Sequence, residues 1–203
     1  MGISLQQFKQ MKERVADHRP RAATPVLDPS ARSAADVHQV LLGLDPSLRG
    51  TGYGVIRLDR PHPVALAHGT IVCAAAWPHS RCLANISQGI RDVLRRFQPN
   101  VCVVEGLFFA QNLQTAIVMG EARGAALAAI AEAGLEIYEL SPRKVKQAIV
   151  GYGAAQKLAV AKMVQRTLHL SEPPSPDAAD ALALALAHAQ GQSRYGLNAP
   201  KRI

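Results

Sequence analysis

Residues 41–56, LLGLDPSLRGTGYGVI, join an apolar run to an acid and then to a turn rich in proline and glycine. The apolar half belongs to HQVLLGL at 38–44, which predicts a short buried strand, and GYGVIRLD at 52–59 predicts the next strand. Asp45 ends the buried strand, where its carboxylate loses part of its hydration to the neighbouring core. Either a cation pairs with this acid or Asp45 merely starts the turn.

The composition is that of a globular chain long enough for one domain with a full hydrophobic core. It has 203 residues, 48% of them hydrophobic, and a net charge of +8. This charge favours a polyanion partner only weakly, because many basic proteins bind no nucleic acid specifically. We expect a cytoplasmic protein, because the N-terminus lacks the apolar core of a signal sequence and the three cysteines lack the spacing of a disulfide framework or a metal site.

The order of predicted elements gives the fold class. We expect residues 1–37 to be a mobile appendage, in which a short amphipathic helix leads into a linker rich in Pro, Ala and Arg, and residues 191–203 to be a basic tail. Residues 38–190 predict three strands, a helix, a strand, a helix, a strand and then further helices. This order is typical of an α/β domain with a mixed central sheet, here of about five strands, flanked by helices.

Acidic side chains recur where the buried elements end. VCVVE at 101–105 predicts a second buried strand, which ends on Glu105 as the first ends on Asp45. Two strands that are apolar on both faces are expected to be parallel neighbours, with their carboxyl ends at the same edge of the sheet. Asp177 and Asp180 are three residues apart, so both carboxylates lie on one face of a largely apolar helix.

Two of the four acids have a ready structural explanation when each is taken alone. Asp177 suits a helix start and Asp45 suits a turn before proline, whereas Glu105 suits neither role well. Together, four carboxylates would repel one another, and their pKa values would rise unless a cation stood among them. Oxygen ligands favour Mg²⁺ or Mn²⁺ over Zn²⁺, and a pair of such ions suits in-line attack of water on a phosphodiester.

Four segments of the chain closely resemble motifs of the RuvC family, the bacterial Holliday-junction resolvases. They are, in chain order, GLDPSLRGTGYGVI, VEGLFFAQN, SPRKVKQAIVGYGAAQK and DAADALALALAH, within about residues 39–190. The resemblance implies a ribonuclease H-like fold, a homodimer, and paired Mg²⁺-dependent nicks in opposing strands of a four-way junction during DNA recombination and repair. The family's catalytic and metal-binding acids, which hold two ions, correspond to Asp45, Glu105, Asp177 and Asp180. Ser47 stands where the family usually has glycine.

The resemblance also implies residues that contact DNA. Phe108 and Phe109 share a polar loop, where packing in the core is the alternative to stacking on an opened base. The resemblance places the stacking ring at Phe108. Lys146 and Lys157 correspond to basic residues that serve DNA binding and catalysis, although a solvated helix face is the ordinary explanation for such lysines.

The sequence also leads to expectations about binding partners and about alternative functions. The resemblance puts the dimer interface in the Ala-rich helix at 112–133 and implies a RuvA–RuvB branch-migration complex as a further partner. DPSLRGTGYGV also resembles the phosphate-binding hairpin of actin-like sugar kinases and ATPases, which need a second such hairpin that this chain lacks. The remaining alternatives are a ribonuclease H-like nuclease acting on other branched or hybrid nucleic acids, and a junction-binding protein without cleavage, against which the four acids argue.

Overall fold

A computed structural model of the chain describes residues 39–106, 112–192 and 201–203. Its strands are β1 (Val40–Asp45), β2 (Gly50–Arg57), β3 (Val64–Val72), β4 (Val101–Glu105), β5 (Glu136–Leu140) and β6 (Lys201–Arg202). Its helices are α1 (His79–Phe97), α2 (Leu113–Glu132), α3 (Pro142–Val150), α4 (Lys157–Thr167) and α5 (Pro176–Gln192). The predicted order of strands and helices is confirmed up to α5. The predicted appendage at 1–37 lies outside the described residues, so the domain boundary near residue 38 stays a prediction.

The six strands form one mixed sheet in the order β3-β2-β1-β4-β5-β6. β1 pairs antiparallel with β2, and β2 with β3, whereas β1 pairs parallel with β4, and β4 with β5. The central strands β1 and β4 are buried along almost their whole length, as expected for strands covered on both faces. Because these two strands are parallel neighbours, their last residues, Asp45 and Glu105, reach the same edge of the sheet.

The sixth strand was not expected from the sequence, which predicted only a basic tail at 191–203. Arg202 pairs with Tyr138 in the antiparallel register of β6 with β5. Nη1 of Arg202 lies 2.7 Å from Oε1 of Glu136, and the Ile203 N–H donates to the Ile137 carbonyl at 3.0 Å. A strand of two residues has no hydrophobic period that a sequence could reveal, so the pairing is visible only in three dimensions.

Helices cover both faces of the sheet. One core joins α3, α4 and α5 to the face that carries Leu41 and Val103, and the other joins α1 and α2 to the face that carries Leu42 and Val104. Side chains alternate between the two faces of a strand, so Asp45 and Glu105 belong to the face that α5 covers. None of the helices that the structure describes is long and apolar enough to cross a membrane.

Glycines allow α5 to approach the backbone of β1 and β2 directly. A Cβ atom on Gly43 would lie 1.9 Å from the carbonyl oxygen of Ala181, and one on Gly52 would lie 2.1 Å from that of Asp177. Gly54 lies opposite Gly43 in the β1–β2 pair, so neither strand carries a side chain at this position, where α5 packs on them. The first turns of α5 therefore lie directly over the strand ends, and any larger residue at these positions would push the helix away.

We expect Gly43→Ala to lower the free energy of unfolding by about 3 kcal/mol, the upper end of the usual cost of overpacking a core. The matched control is Gly89→Ala in α1, where the three atoms nearest to the new Cβ all belong to the Ile71 side chain, at 2.8–3.2 Å, and none to a backbone. There the better helix propensity of alanine, worth about 1 kcal/mol, offsets the crowding. Urea unfolding of both variants measures the difference, and equal losses would contradict the role given to Gly43.

Candidate active site

Four carboxylates meet where β1 and β4 end and α5 begins. Asp45 and Glu105 are the last residues of their strands. Asp177 and Asp180 lie near the start of α5, which packs on β1 and β2. All four side chains are partly buried. Asp45 experiences the negative charges of Asp180 and Asp177, and Glu105 those of Asp45 and Asp180. The structure therefore brings the four predicted acids together.

Burial and mutual repulsion raise the pKa of two of these carboxyl groups. Burial, and next the charge of Asp180, raise the pKa of Asp45 from 3.8 to about 6. Burial, and next the charge of Asp45, raise the pKa of Glu105 from 4.5 to about 7. Ionised carboxylates in such a place carry an electrostatic cost, which a cation placed among them would remove.

The two predicted lysines lie beside the acids. Nζ of Lys157 donates to Oδ2 of Asp180 at 2.7 Å, and this hydrogen bond raises the pKa of Lys157. The charges of Lys157 and Lys146 both oppose the rise in the pKa of Glu105. The Lys157 side chain is 77% exposed, so its ion pair with Asp180 is weak and can exchange with another anion.

The donor set fits a hard divalent cation, although the side chains do not enclose one as they stand. Within the described ranges, no three His, Cys, Asp or Glu side chains are close enough together to hold a metal ion. The ammonium of Lys157 occupies one oxygen of Asp180, and like charges favour separation of the remaining carboxylates. The groups that meet here are carboxylate oxygens, which Mg²⁺ and Mn²⁺ prefer as ligands.

The turn between β1 and β2 is closed by its own hydrogen bonds. The buried Thr51 hydroxyl donates to the Ser47 carbonyl at 2.8 Å, and its oxygen accepts from the Ser47 N–H at 3.3 Å. The backbone of Ser47 does not enter the left-handed region, so a serine fits where the family usually has glycine. A Cβ on Gly50 would lie 3.0 Å from Oδ2 of Asp177, so this turn passes close to the acids.

Arg123 is a buried cation whose role the sequence did not predict. It lies on α2, 9% exposed, and its guanidinium donates both to the main-chain carbonyl of Glu105 and to the carboxylate of Glu139. The only signal in the sequence is an arginine inside the Ala- and Gly-rich run GEARGAALAAI at 120–130, where a charged side chain is out of keeping with its neighbours. Arg123 therefore supports the end of β4 from the face opposite the acids.

The predicted stacking residue Phe108 lies outside the described residues, as does Phe109. The described chain leaves β4 at Gly106, whose N–H donates to the Leu140 carbonyl at 2.9 Å and extends the pairing of β4 with β5 by one residue. In the sequence both phenylalanines come shortly after Gly106, and the role of Phe108 stays a prediction.

Comparison with known proteins decides the family. The family model described as crossover junction endodeoxyribonuclease RuvC matches residues 41–188. The chain belongs to the RuvC family. A RuvC of Chloroflexus aurantiacus is 40% identical over 161 residues, which cover 77% of this chain and 98% of that relative. A RuvC of Akkermansia muciniphila is 45% identical over 148 residues, with 73% and 89% covered.

Solved structures agree with this assignment. The structure of T. thermophilus RuvC in complex with a Holliday junction substrate matches with a TM-score of 0.74 at 37% identity, covering 81% of this chain and all of that chain. The yeast mitochondrial Holliday junction resolvase Ydc2, at 13% identity and a TM-score of 0.56 over 75% of this chain and 78% of that one, shares the fold.

These matches confirm the predicted ribonuclease H-like fold and the predicted identity as a RuvC-family endodeoxyribonuclease, a Holliday-junction resolvase. Nucleases of this family are metal-dependent in general. A ribonuclease H-like nuclease acting on other branched or hybrid nucleic acids, the alternative reading, is not favoured.

Removing the charge of Asp45 should stabilise the metal-free protein at pH 8. Its pKa is higher in the folded chain than its ordinary value of 3.8, so the folded state binds the proton more tightly than the unfolded state. The stability gained from this proton is present below about pH 4 and is lost as the pH rises through about 6. Asp45→Asn avoids this loss of unfolding free energy, which amounts to up to about 3 kcal/mol.

Thermal unfolding in the presence of a chelator, at pH 5 and at pH 8, measures this effect. The control is Asp59→Asn, because the hydrogen bond from Arg57 lowers the pKa of Asp59 and its removal should not stabilise the fold at either pH. An Asp45→Asn variant that is less stable than wild type at pH 8 would contradict the electrostatic cost assigned to the Asp45 carboxylate.

Proposed function

We propose that the chain resolves four-way DNA junctions by hydrolysing one phosphodiester in each of two opposing strands, with Mg²⁺ held by four acids. These acids are Asp45, Glu105, Asp177 and Asp180. The observation that carries the proposal is the meeting of four carboxylates at one sheet edge, two of them with raised pKa values, in a chain of the RuvC family. Two ions fit this number of acids, and Mn²⁺ prefers the same oxygen ligands.

The chemistry divides between the cations and the protein. When bound, the cations supply a nucleophile at neutral pH and stabilise the charge that develops on the phosphate. β1 and β4 hold Asp45 and Glu105 on buried backbone, while the close packing of α5 sets the position of Asp177. Rigid placement of the ligands lowers the cost of reorganisation during the reaction.

Lys157 and Lys146 are proposed to bind the DNA backbone at this edge. Lys157 is the first residue of α4 and largely exposed, and its ammonium already pairs with one carboxylate of the site. A phosphate oxygen would compete with Asp180 for that ammonium, which would bring the scissile bond to the acids. Phe108, three residues after Glu105 in the sequence, is proposed to stack on an opened base.

The exposed face of α2 supports a homodimer as the active form. Leu113 is 77% exposed and Ile117 is 52% exposed. A Cβ on Gly120 or Gly124 would contact nothing within 4 Å. These positions follow one another at spacings of three and four, so they form one apolar stripe. Its two glycines carry no side chain, so a second α2 could approach closely there. Two copies would supply one active site for each of the two strands.

The cellular setting of the proposal is the bacterial recombination machinery. We propose a RuvA–RuvB branch-migration complex as the partner that brings junctions to the dimer, a proposal supported by the family resemblance alone. Cys73, Cys82 and Cys102 are free thiols, which is in keeping with the reducing cytoplasm.

Asp45→Asn tests the proposed reaction. The substitution keeps the shape of the side chain and removes a metal ligand charge, so single-turnover cleavage with Mg²⁺ should fall by at least the roughly 10²–10³ that one lost electrostatic contact costs. Binding of the junction in the absence of metal should persist or tighten, because phosphate contacts dominate affinity and one repelling charge has gone.

The assay compares a synthetic four-way junction with a plain duplex and an RNA–DNA hybrid, and uses Asp59→Asn as a control for charge removal on the surface. Wild-type protein should cut the junction and leave the other substrates largely intact. Equal cutting of duplex or hybrid would contradict the proposed function, whereas normal junction cleavage by Asp45→Asn would return Asp45 to the role of a turn residue.

Ile117→Lys tests the proposed dimer. A lysine in the apolar stripe should prevent close approach of two α2 helices, so sedimentation velocity should show a dimer for wild type and a monomer for the variant. The matched control is Leu158→Lys on α4, because Leu158 is also an exposed apolar residue, 64% exposed, and lies outside the stripe. A dimer that survives Ile117→Lys would exclude this face as the interface.

A further inference from the structure

We infer that Arg123 is a positioning residue for Glu105: it replaces a hydrogen bond that the neighbouring strand cannot make and so fixes the end of β4. The inference rests on the proposed role of Glu105 as a metal ligand. It concerns a residue of α2, the helix that packs on the opposite face of the sheet from the acids.

The main chain of Glu105 points its carbonyl towards β1. Hydrogen-bonding groups alternate in direction along a strand, and the N–H of the following residue, Gly106, donates to Leu140 in β5 on the other side. The register of β1 with β4 ends at Leu44 opposite Val104. If that register continued by one residue, the donor for the Glu105 carbonyl would be the backbone nitrogen of Pro46.

Proline has no N–H, so the parallel ladder cannot satisfy the Glu105 carbonyl. A buried carbonyl without a donor costs free energy comparable to a lost hydrogen bond and would leave the end of the strand loose. Nη1 of Arg123 donates to this oxygen instead. A side chain from α2 thus completes the sheet at the residue whose carboxylate is proposed to hold a cation.

The guanidinium is itself held in place by Glu139. Its second nitrogen, Nη2, donates to Oε2 of Glu139, and the two side chains are only 10% and 22% exposed. Glu139 precedes Leu140, the residue that pairs with Glu105 across β4 and β5. One planar side chain therefore clamps the carboxyl ends of two adjacent strands, which is the rigid fork geometry that arginine offers and lysine does not.

Fixing the backbone of a metal ligand affects metal binding as well as folding. The residues that orient ligands commonly contribute 10–100-fold to metal affinity. Arg123→Lys keeps a positive charge next to Glu139, but one ammonium cannot reproduce both arms of the fork, and the ion pair is the stronger contact. We expect this variant to fold normally while its Glu105 carbonyl loses its donor.

The test is Mn²⁺ binding to the full chain without DNA, measured by electron paramagnetic resonance, with thermal unfolding recorded for each variant. Arg123→Lys should bind Mn²⁺ about 10-fold more weakly than wild type, while its loss of melting temperature should not exceed that of the Glu139→Gln control. The matched control is Glu139→Gln. It keeps Arg123, its bond to the carbonyl and an oxygen acceptor for Nη2, so it should retain Mn²⁺ affinity within about twofold, although loss of the ion pair lowers stability.

A second substitution tests directly whether Arg123 acts through the Glu105 carbonyl. Pro46→Ala supplies the missing N–H opposite the Glu105 carbonyl, so Pro46→Ala combined with Arg123→Lys should regain most of the lost Mn²⁺ affinity. A purely structural role of Arg123 predicts no such recovery. Wild-type Mn²⁺ affinity in Arg123→Lys, an equal loss in Glu139→Gln, or no recovery in the double variant would each overturn the inference.

Failure of the inference and failure of the proposed function give different results. Glu105→Gln is included in the same titration and should weaken Mn²⁺ binding on its own. If Glu105→Gln binds Mn²⁺ as tightly as wild type, the proposed metal role of Glu105 is wrong. If Glu105→Gln weakens binding and Arg123→Lys does not, only the positioning role of Arg123 is wrong.

Discussion

The close contact between α5 and the first two strands is the constraint on which the site depends. Gly43 and Gly52 remove the side chains that would keep a helix at the usual distance from a sheet, and the carbonyls of Ala181 and Asp177 take that space. Two acids on a helix can then reach two acids on strand ends, although the elements are far apart in sequence. The same packing buries the strand-end acids, which raises their pKa values. Fold stability and the electrostatic cost of the site therefore have one common cause.

Two ion pairs lie near the strand ends that carry the acids, one exposed to solvent and the other buried. On the exposed side, Lys157 pairs with Asp180 through a side chain that solvent surrounds, so the pair is easily exchanged. On the buried side, Arg123 pairs with Glu139 under the sheet, where removal of either partner would leave an unpaired charge. The exposed pair suits a site where a ligand binds and dissociates. The buried pair suits a permanent support, and the two lie on opposite faces of the same strand ends.

The sequence predicted the parts of this arrangement that depend on local pattern. Hydrophobic patterning predicted the buried strands and the acids at their ends. The spacing of Asp177 and Asp180 predicted that both lie on one helix face, and the four motifs predicted the family. Arg123 could not be predicted, because its function depends on a missing donor at Pro46, and that relation exists only once β1 and β4 are in register. β6 escaped prediction for a related reason, since its pairing is decided by the exposed edge of β5 and not by any property of two residues.

The pairing of β6 with β5 bears on how the protein can be handled and altered. Lys201 and Arg202 cover backbone N–H and C=O groups of a strand that would otherwise lie open at the edge of the sheet. Residues fused directly after Ile203 would follow a paired backbone, and proteolytic removal of Lys201 and Arg202 would uncover the edge of β5 as a template for intermolecular strand addition. Preparations that differ by a few C-terminal residues could thus differ in aggregation without any change at the acids.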